Sequence, residues 1–498
     1  MVWMMEFTPH LSPDSVVPLY RQLYEQIALR IRSGGISAGE RLPATRELAG
    51  LLGLNRTTVS AAYELLESEG LIAGQVGRGS FVIGQAAGVP AAAVSGVNWT
   101  SLLDRGDAMT ATHSGALGAN GISFVMSRPS RELFPLDEFR ASCAAVLPRQ
   151  DLGDILQLGS PGGYEPLRRY LLNEARAHGL AGASDDLLIT NGCQQALDLL
   201  GRVLLRPGDP VALEDPVYTG LKNLLSGMGA SLLGIPVGAE GLDIGHLERT
   251  LERERPRFLV VTPNFQNPTG ATLPLAARRS LLEAARAAGV PVVENDAYGD
   301  LRYVGDALPP LKRLDEHGGT VLLRSFSKVS FPGLRVGWAV GPKPLIDRLR
   351  QAKEASDLHT DQLSQAVLLE FAESGKLEAH RKRILEAGRE RLAATLEACR
   401  EYLPAGTRWT TPEGGMNVWV RLPKPLDASE LLPRAQKEGV AYLPGRYFAI
   451  SRAEPGALRL SFAGLTPEQI RNGLAVLGRI FSGEAAVSES LEPAPAMV

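Results

Sequence analysis

Lysine is scarce at the start of this chain: the first is Lys222, so no amine nucleophile can come from the residues before it. Cysteine is scarcer still. Cys143, Cys193 and Cys399 stand far apart with no metal-binding spacing. The seven histidines include no pair four residues apart, which argues against a structural zinc site. So few cysteines suit a reducing compartment. No apolar run approaches the ~20 residues needed to span a bilayer. The opening MVWMMEFTPH lacks the basic and apolar segments of a secretory signal. A cytoplasmic protein without a membrane partner is expected. The formal net charge of -3 carries no global sign of a nucleic-acid partner, so any such contact must rest on local patches.

What is present points to several domains. A chain of 498 residues, 44% hydrophobic and 21% charged, is ordinary globular material too long for one core. Residues 18–31 (PLYRQLYEQIALRI) space apolar side chains Leu19, Leu23, Ile27 and Ile31 every four positions, as an amphipathic helix does. After a glycine-rich break, Thr45 is placed to cap a second helix that Gly53 ends, and Asn55 to cap a third that Gly70 stops. Two short strands around a glycine-rich turn follow in LIAGQVGRGSFVIG. Three helices and a hairpin over residues 1–84 predict a winged helix-turn-helix.

Residues 85–119 lose all periodicity and read as a linker, with a short helix near Trp99. From residue 120 to 482, β-branched runs such as RFLVVTP, VPVVEND and TVLLRSF alternate with helical ones, which predicts a largely parallel sheet covered on both faces. The last part of this region, from Leu377 to Phe481, reads as a smaller α+β lobe, and residues 483–498 as a disordered tail.

In the head, Arg41, Arg46, Arg56 and Arg78 gather at the turn, the start of the third helix and the wing, while Glu64, Glu67 and Glu69 lie toward that helix's far end. A recognition helix presents its N-terminal residues to base edges. Arg41, Arg46, Asn55, Arg56, Thr57, Thr58, Ser60, Gly77 and Arg78 are therefore the candidate contacts to double-stranded DNA. A winged helix used only for protein contacts is the alternative. The head resembles the GntR-type winged helix, and that resemblance favours Arg46 and Arg56 as DNA contacts.

In the body, TNGCQQAL sets Gly192, Cys193 and Gln194 at a helix N-terminus, where unpaired N–H groups and the helix dipole suit a phosphate. Lys328 lies in SFSKVSFPGLRVGW with Arg335 seven residues on, a pattern suited to a Schiff base and a phosphate clamp. With GSPGGYEPLR, EDPVYTG, TPNFQNPTG, ENDAYGD and LRLSF in that order, the region from Ile122 to Phe481 resembles the fold-type I pyridoxal-phosphate enzymes, the aspartate aminotransferase superfamily. Each motif alone also has a plain structural use.

The resemblance implies pyridoxal 5′-phosphate held by Lys328 as an internal aldimine, with Ser325, Ser327 and Arg335 beside the cofactor. Tyr218 would stack on the ring, Asn267 and Tyr298 would serve its phenolic oxygen, and Asp296 its ring nitrogen. Tyr164 would reach a partner subunit's phosphate, and Arg459 would clamp an effector or substrate carboxylate. The implied fold is a mostly parallel seven-stranded sheet with a small C-terminal lobe.

Head, linker and body together resemble the MocR-type subfamily of GntR-family regulators. That resemblance implies a homodimer, in some members domain-swapped, whose body senses the cofactor or an amino-compound effector by exchange at Lys328. The alternative is a working amino acid aminotransferase that carries a DNA-binding head.

Overall fold

The computed structural model describes residues 9, 11, 18–32, 35–75, 79–83, 99, 121–451 and 453–491. The chain divides into two compact units, Met1–Asp107 and Ala108–Val498.

The first unit is built from helices α1 (Leu19–Arg32), α2 (Thr45–Leu52) and α3 (Arg56–Ser68) and strands β1 (Ile72–Gln75) and β2 (Gly79–Val82). The four-residue stripe of α1 supplies Leu23 and Ile27 to a core shared with Leu48 of α2, Val59, Ala62 and Leu66 of α3, and Val82 of β2. Gly53 ends α2 in the left-handed region at φ 64°. Asn55 caps α3, its side-chain oxygen accepting from Thr57 N at 3.2 Å. The cap expected of Thr45 is displaced: Ala44 occupies the N-cap of α2 with no side-chain bond, and Thr45 is the first helical residue. β1 and β2 pair antiparallel as expected, and Arg41 forms a bridge to Phe81 of β2. Of the wing, Gly77 and Arg78 lie outside the described residues, as does the expected linker apart from Trp99.

The second unit holds a sheet of β4 (Asp185–Thr190), β5 (Pro210–Asp215), β6 (Ser231–Gly238), β7 (Gly241–Leu242), β8 (Leu259–Val261), β9 (Val292–Asn295), β10 (Thr320–Ser325) and β11 (Gly337–Pro342). Their spatial order is β4-β11-β10-β9-β8-β5-β6-β7. This corrects the expected seven-stranded, mostly parallel sheet. There are eight strands, and β11 runs antiparallel to both β10 and β4, while β6 folds straight back onto the two-residue β7. Parallel pairing joins β6, β5, β8, β9 and β10. Val211 and Leu213 of β5 enter one apolar core and Ala212 another, so the sheet is covered on both faces.

The smaller lobe carries an antiparallel sheet of β12 (Arg408–Trp409), β13 (Asn417–Arg421), β15 (Leu443–Pro444) and β16 (Ala457–Ser461), in the order β12-β13-β16-β15. Beside it, β3 (Ile122–Ser123) pairs with β14 (Val440–Ala441). The last helix runs Pro467–Leu491, well into the stretch expected to be disordered. Its GEAAVSES segment is composed largely of residues that can extend a helix already begun on the core. No helix among the described residues is long and apolar enough to cross a membrane.

Candidate functional site

Five of the body's expected site segments begin where a sheet strand ends at its carboxyl edge, the edge at which open α/β sheets bind ligands. Gly192 to Gln194 follow β4, Tyr218 follows β5, Asn267 follows β8, Asp296 follows β9, and Lys328 follows β10. Because β11 is antiparallel, Arg335 reaches the same edge by preceding its strand.

Lys328 closes a single turn, Phe326–Lys328, and its Nζ donates to the carbonyl of Ser127 at 2.6 Å. Nζ also stands 5.3 Å from the centre of the Tyr298 ring. Burial, aided by the cations of Arg459 and Arg335, lowers the Lys328 pKa to about 8. At pH 7 a lysine so placed is about one-tenth neutral amine, the form a nucleophile needs, and far more of it is neutral than in an ordinary lysine.

A polar nest lies beside it. Ser325 Oγ accepts from Ser327 N at 3.0 Å and lies 2.9 Å from Ser327 Oγ. Arg335 Nη1 donates to Ser327 Oγ at 3.4 Å, and its Nη2 to the carbonyl of Asn191 at 3.2 Å. Gly192 caps the helix Cys193–Leu204 at φ 79°, and a Cβ there would lie 2.7 Å from Arg335 Nη2. Only glycine lets the guanidinium come so close to a helix N-terminus. The first-turn N–H groups of Cys193 and Gln194 have no partner within the helix by geometry, and Gln194 Oε1 is buried without a partner. The Cys193 thiol, pushed up to about 12 chiefly by burial, is inert, which leaves its amide as its contribution.

Asn267 joins two further site residues. Its Nδ2 donates to Tyr298 OH at 3.3 Å, and its Oδ1 accepts from Arg459 Nη1 at 3.0 Å. Arg459 is 4% exposed, gives a second bond to the carbonyl of Val125, and lies 5.0 Å over the Phe448 ring. Its Nε has no partner, and no carboxylate among the described residues pairs with it. Burial lowers its pKa to about 10. A buried cation without an anion is costly, and an incoming carboxylate would relieve it.

Asp296 is the buried acid of the set. Arg324 holds its Oδ2 through Nη2 at 2.6 Å and Nε at 3.0 Å, and Asn264 Nδ2 donates to its Oδ1 at 2.8 Å. Tyr218 stands at the mouth, 39% exposed, with its ring folded over Gly220.

The structure thus brings together every expected body residue except Tyr164. That side chain is buried in a separate apolar cluster with Val146 and Leu167, its hydroxyl accepting from Arg149 Nη2 at 3.3 Å. Arg324, Asn264 and Ser127 were not expected. An arginine inside the otherwise apolar TVLLRSF run was a visible signal for Arg324, whereas a backbone carbonyl such as that of Ser127 leaves none.

These residues fit pyridoxal 5′-phosphate. The nest of Ser325, Ser327, Arg335 and the helix N-terminus suits a phosphate, the depressed Lys328 an aldehyde, Asp296 a ring nitrogen, and Arg459 the carboxylate of a bound amino compound.

In the head, Arg41, Arg46, Asn55, Arg56 and Thr57 are exposed, while Thr58 and Ser60 are half-buried. Asn55 is already engaged as the cap of α3. Tyr63 OH donates to the carbonyl of Pro43 at 2.9 Å, and Gly74 N to Glu67 Oε1 at 3.0 Å, fixing α3 against the turn before α2 and against β1. Arg41 lies against the wing, its Nε 3.0 Å from where a Cβ on Gly79 would sit.

The family described as "Aminotransferase class I and II" matches residues 144–477, and that described as "Bacterial regulatory proteins, gntR family" matches residues 19–82. The 2-aminoadipate transaminase of Thermus thermophilus is 42% identical over 74% of this chain and 91% of its own. The probable rhizopine catabolism regulatory protein MocR of Rhizobium meliloti is 30% identical over 95% of both chains. Among solved structures, the α-aminoadipate aminotransferase LysN of Thermus thermophilus, complexed with N-(5′-phosphopyridoxyl)-L-leucine, covers 78% of this chain and 100% of its own at 39% identity, with a TM-score of 0.72.

Proposed function

This chain belongs to the MocR-type subfamily of GntR-family transcriptional regulators, and on that premise we propose that its body is a sensor of amino compounds whose occupancy sets DNA binding by its head. The cofactor is pyridoxal 5′-phosphate. When bound, it supplies an aldehyde that condenses reversibly with primary amines and a ring able to take up electrons. Lys328 holds it through Nζ and gives way to an incoming amine. Ser325, Ser327, Arg335 and the amides of Cys193 and Gln194 fix the phosphate; Tyr218 covers the ring; Asn267 and Tyr298 serve its oxygen. Arg459 selects amines that bear a carboxylate.

The observation that carries this reading is the pairing of a partly neutral Lys328 with a buried Arg459 that lacks an anion. Lys328 would hold the aldehyde that an incoming amine takes over, and Arg459 would take that compound's carboxylate. In the head, exposed Arg41, Arg46, Arg56 and Thr57 meet DNA, and Arg78 and Gly77 of the wing approach the backbone. The chain acts as a homodimer, which accounts for Tyr164 as a residue that serves the partner subunit's cofactor. Two heads then read paired half-sites.

The complete set of site residues favours a second reading, a working aminotransferase with a DNA-binding head. Adding amino acids to the loaded protein separates the two. A lasting spectral change without keto acid, coupled to altered operator affinity, supports the sensor. Rapid conversion to the pyridoxamine form, reversed by a keto acid, with operator affinity unmoved, supports the enzyme and overturns the sensor.

A further inference from the structure

The carboxylate of Asp296 is fully buried, yet it is already neutralised from within the chain. Arg324 gives two hydrogen bonds to Oδ2, at 2.6 and 3.0 Å, and Asn264 one to Oδ1 at 2.8 Å. Asn264 is itself fixed: its Oδ1 accepts from Arg278 Nη2 at 2.6 Å. Arg278 is fully buried, with its remaining donors on the carbonyls of Leu273, Pro263 and Pro309. Gly299 closes another flank, since a Cβ there would meet Asp296 Oδ1. Asp296 therefore cannot turn to follow a ligand.

A carboxylate offers about four acceptor positions. Three are filled from the protein side, which leaves one for a ring nitrogen. Arg324 also remains a cation: burial works against its charge, but Asp296, Asp300 and Glu294 outweigh burial. Its guanidinium makes no other hydrogen bond among the described residues, and it lines a cavity of about 760 Å³ together with Arg302, Asp300 and Arg381. Asp296 and Asn264 line the same cavity, whereas Lys328 does not.

An acid beside the ring nitrogen acts by keeping that nitrogen protonated, because the positive ring draws electrons from the bound amine's Cα–H bond. Removing that proton sends it to Lys328 Nζ and the bonding pair into the ring. A cation already paired with the acid weakens its hold on the ring proton. Exchange of an incoming amine for Lys328 at the cofactor's aldehyde would need no such pull.

We propose that Arg324 is a positioning residue that fixes Asp296 and screens its charge, so that the chain captures amines readily but removes their Cα proton slowly. The inference rests on the cofactor reading above and gives a physical reason for a sensor built on an aminotransferase site.

The test uses full-length protein loaded with pyridoxal 5′-phosphate carrying 15N at the ring nitrogen, with L-2-aminoadipate as the probe amine. In Arg324→Gln the 15N resonance is expected to move toward the protonated position. Conversion to the pyridoxamine form should accelerate about tenfold, a factor set by roughly one unit in the nitrogen's proton affinity. The dissociation constants for cofactor and probe should stay within about threefold, less than the tenfold that one such unit represents. Arg324→Lys, which keeps the charge, should remain near wild type in both readouts. Arg324→Met replaces Arg324→Gln if the latter fails to fold. An unmoved resonance, or slower conversion in the neutral variants, overturns the proposal. A wild-type protein that forms no visible absorption band overturns the cofactor reading instead.

Discussion

Arg459 Nη1 donates to Asn267 Oδ1 across 3.0 Å, and the two residues belong to different lobes. Arg459 sits on β16 of the small antiparallel sheet, whereas Asn267 lies in the loop after β8 of the large one. Asn267 in turn donates to Tyr298 OH, so a ligand that draws on Arg459 also loads the loop that holds the cofactor's surroundings. In a sensor this is the place where a carboxylate can change how the lobes meet.

Replacing Arg459 by Gln should therefore leave cofactor binding nearly intact and remove the response to carboxylated amines. Loss of one partner of a buried charge pair costs about 2–5 kcal/mol, or a weakening of about 30-fold or more. The measurement is a spectral titration with an α-amino acid and with the amine that lacks its carboxylate. Equal weakening for both would remove Arg459 from the carboxylate role.

The lowered pKa of Lys328 makes cofactor loading depend on pH. Its charged form cannot attack an aldehyde, and the neutral fraction grows as pH rises through about 8. The rate at which cofactor-free protein gains its visible band should rise about tenfold per unit below that midpoint and level off above it. Stopped-flow absorbance between about pH 6 and about 9.5 reads this. Lys328→Ala should show no such band at any pH.

Glu214, on β5, sets a trend in stability. Burial raises its pKa from 4.5 to about 8, against hydrogen bonds from Thr262 and Gln266. Between these values the folded chain keeps a proton that the unfolded chain has released. Its contribution is therefore full on the acid side and is lost as pH rises toward about 8, by up to about 1.4 kcal/mol per unit. Glu214→Gln imitates the protonated form, so it should match wild type near pH 4.5 and melt higher at about pH 8. Paired melting curves isolate this residue from others such as His380, whose pKa burial lowers to about 4 and which favours the fold toward neutral pH. A melting difference that does not change with pH would show that Glu214 is ionised throughout.

How much of this was legible in the sequence depended on what each residue does locally. Glycine caps, the four-residue stripe of α1 and the run of β-branched residues in each buried strand have short-range causes, and those elements are where the sequence predicts them. The strand-end positions of Lys328, Asp296 and Asn267 followed from motif order. What escaped had long-range causes. The two residues of β7 are too few to show a period, and the hydrogen bonds of Arg324 to Asp296 join residues 28 apart in the chain. Thr45 lost its cap to Ala44 because backbone geometry, not side-chain preference, sets where a helix begins. The tail's composition reads as disorder, yet a helix already anchored by Leu474, Leu477 and Phe481 continues into it as far as Leu491.

In the head, Asn55 and Arg56 adjoin but do different work, and a pair of variants can separate them. Asn55 Oδ1 accepts from Thr57 N, so Asn55→Ala removes a helix cap and should cost the head about 1 kcal/mol of stability. Any loss of DNA affinity should then follow from the loosened start of α3 and be recovered in Asn55→Ser or Asn55→Asp, which can still cap. The Arg56 side chain is exposed and has no hydrogen bond or ion pair among the described residues of the head. Arg56→Ala should leave the melting temperature unchanged and weaken operator binding, by about 1–3 kcal/mol if it reads a base. If it meets only a phosphate, the loss is uniform across sequences, and the slope of affinity against salt falls by about one ion. Fluorescence anisotropy on operator and scrambled duplexes at several salt concentrations distinguishes the two. Unchanged affinity and slope would mean that α3 presents a different face to DNA, or none.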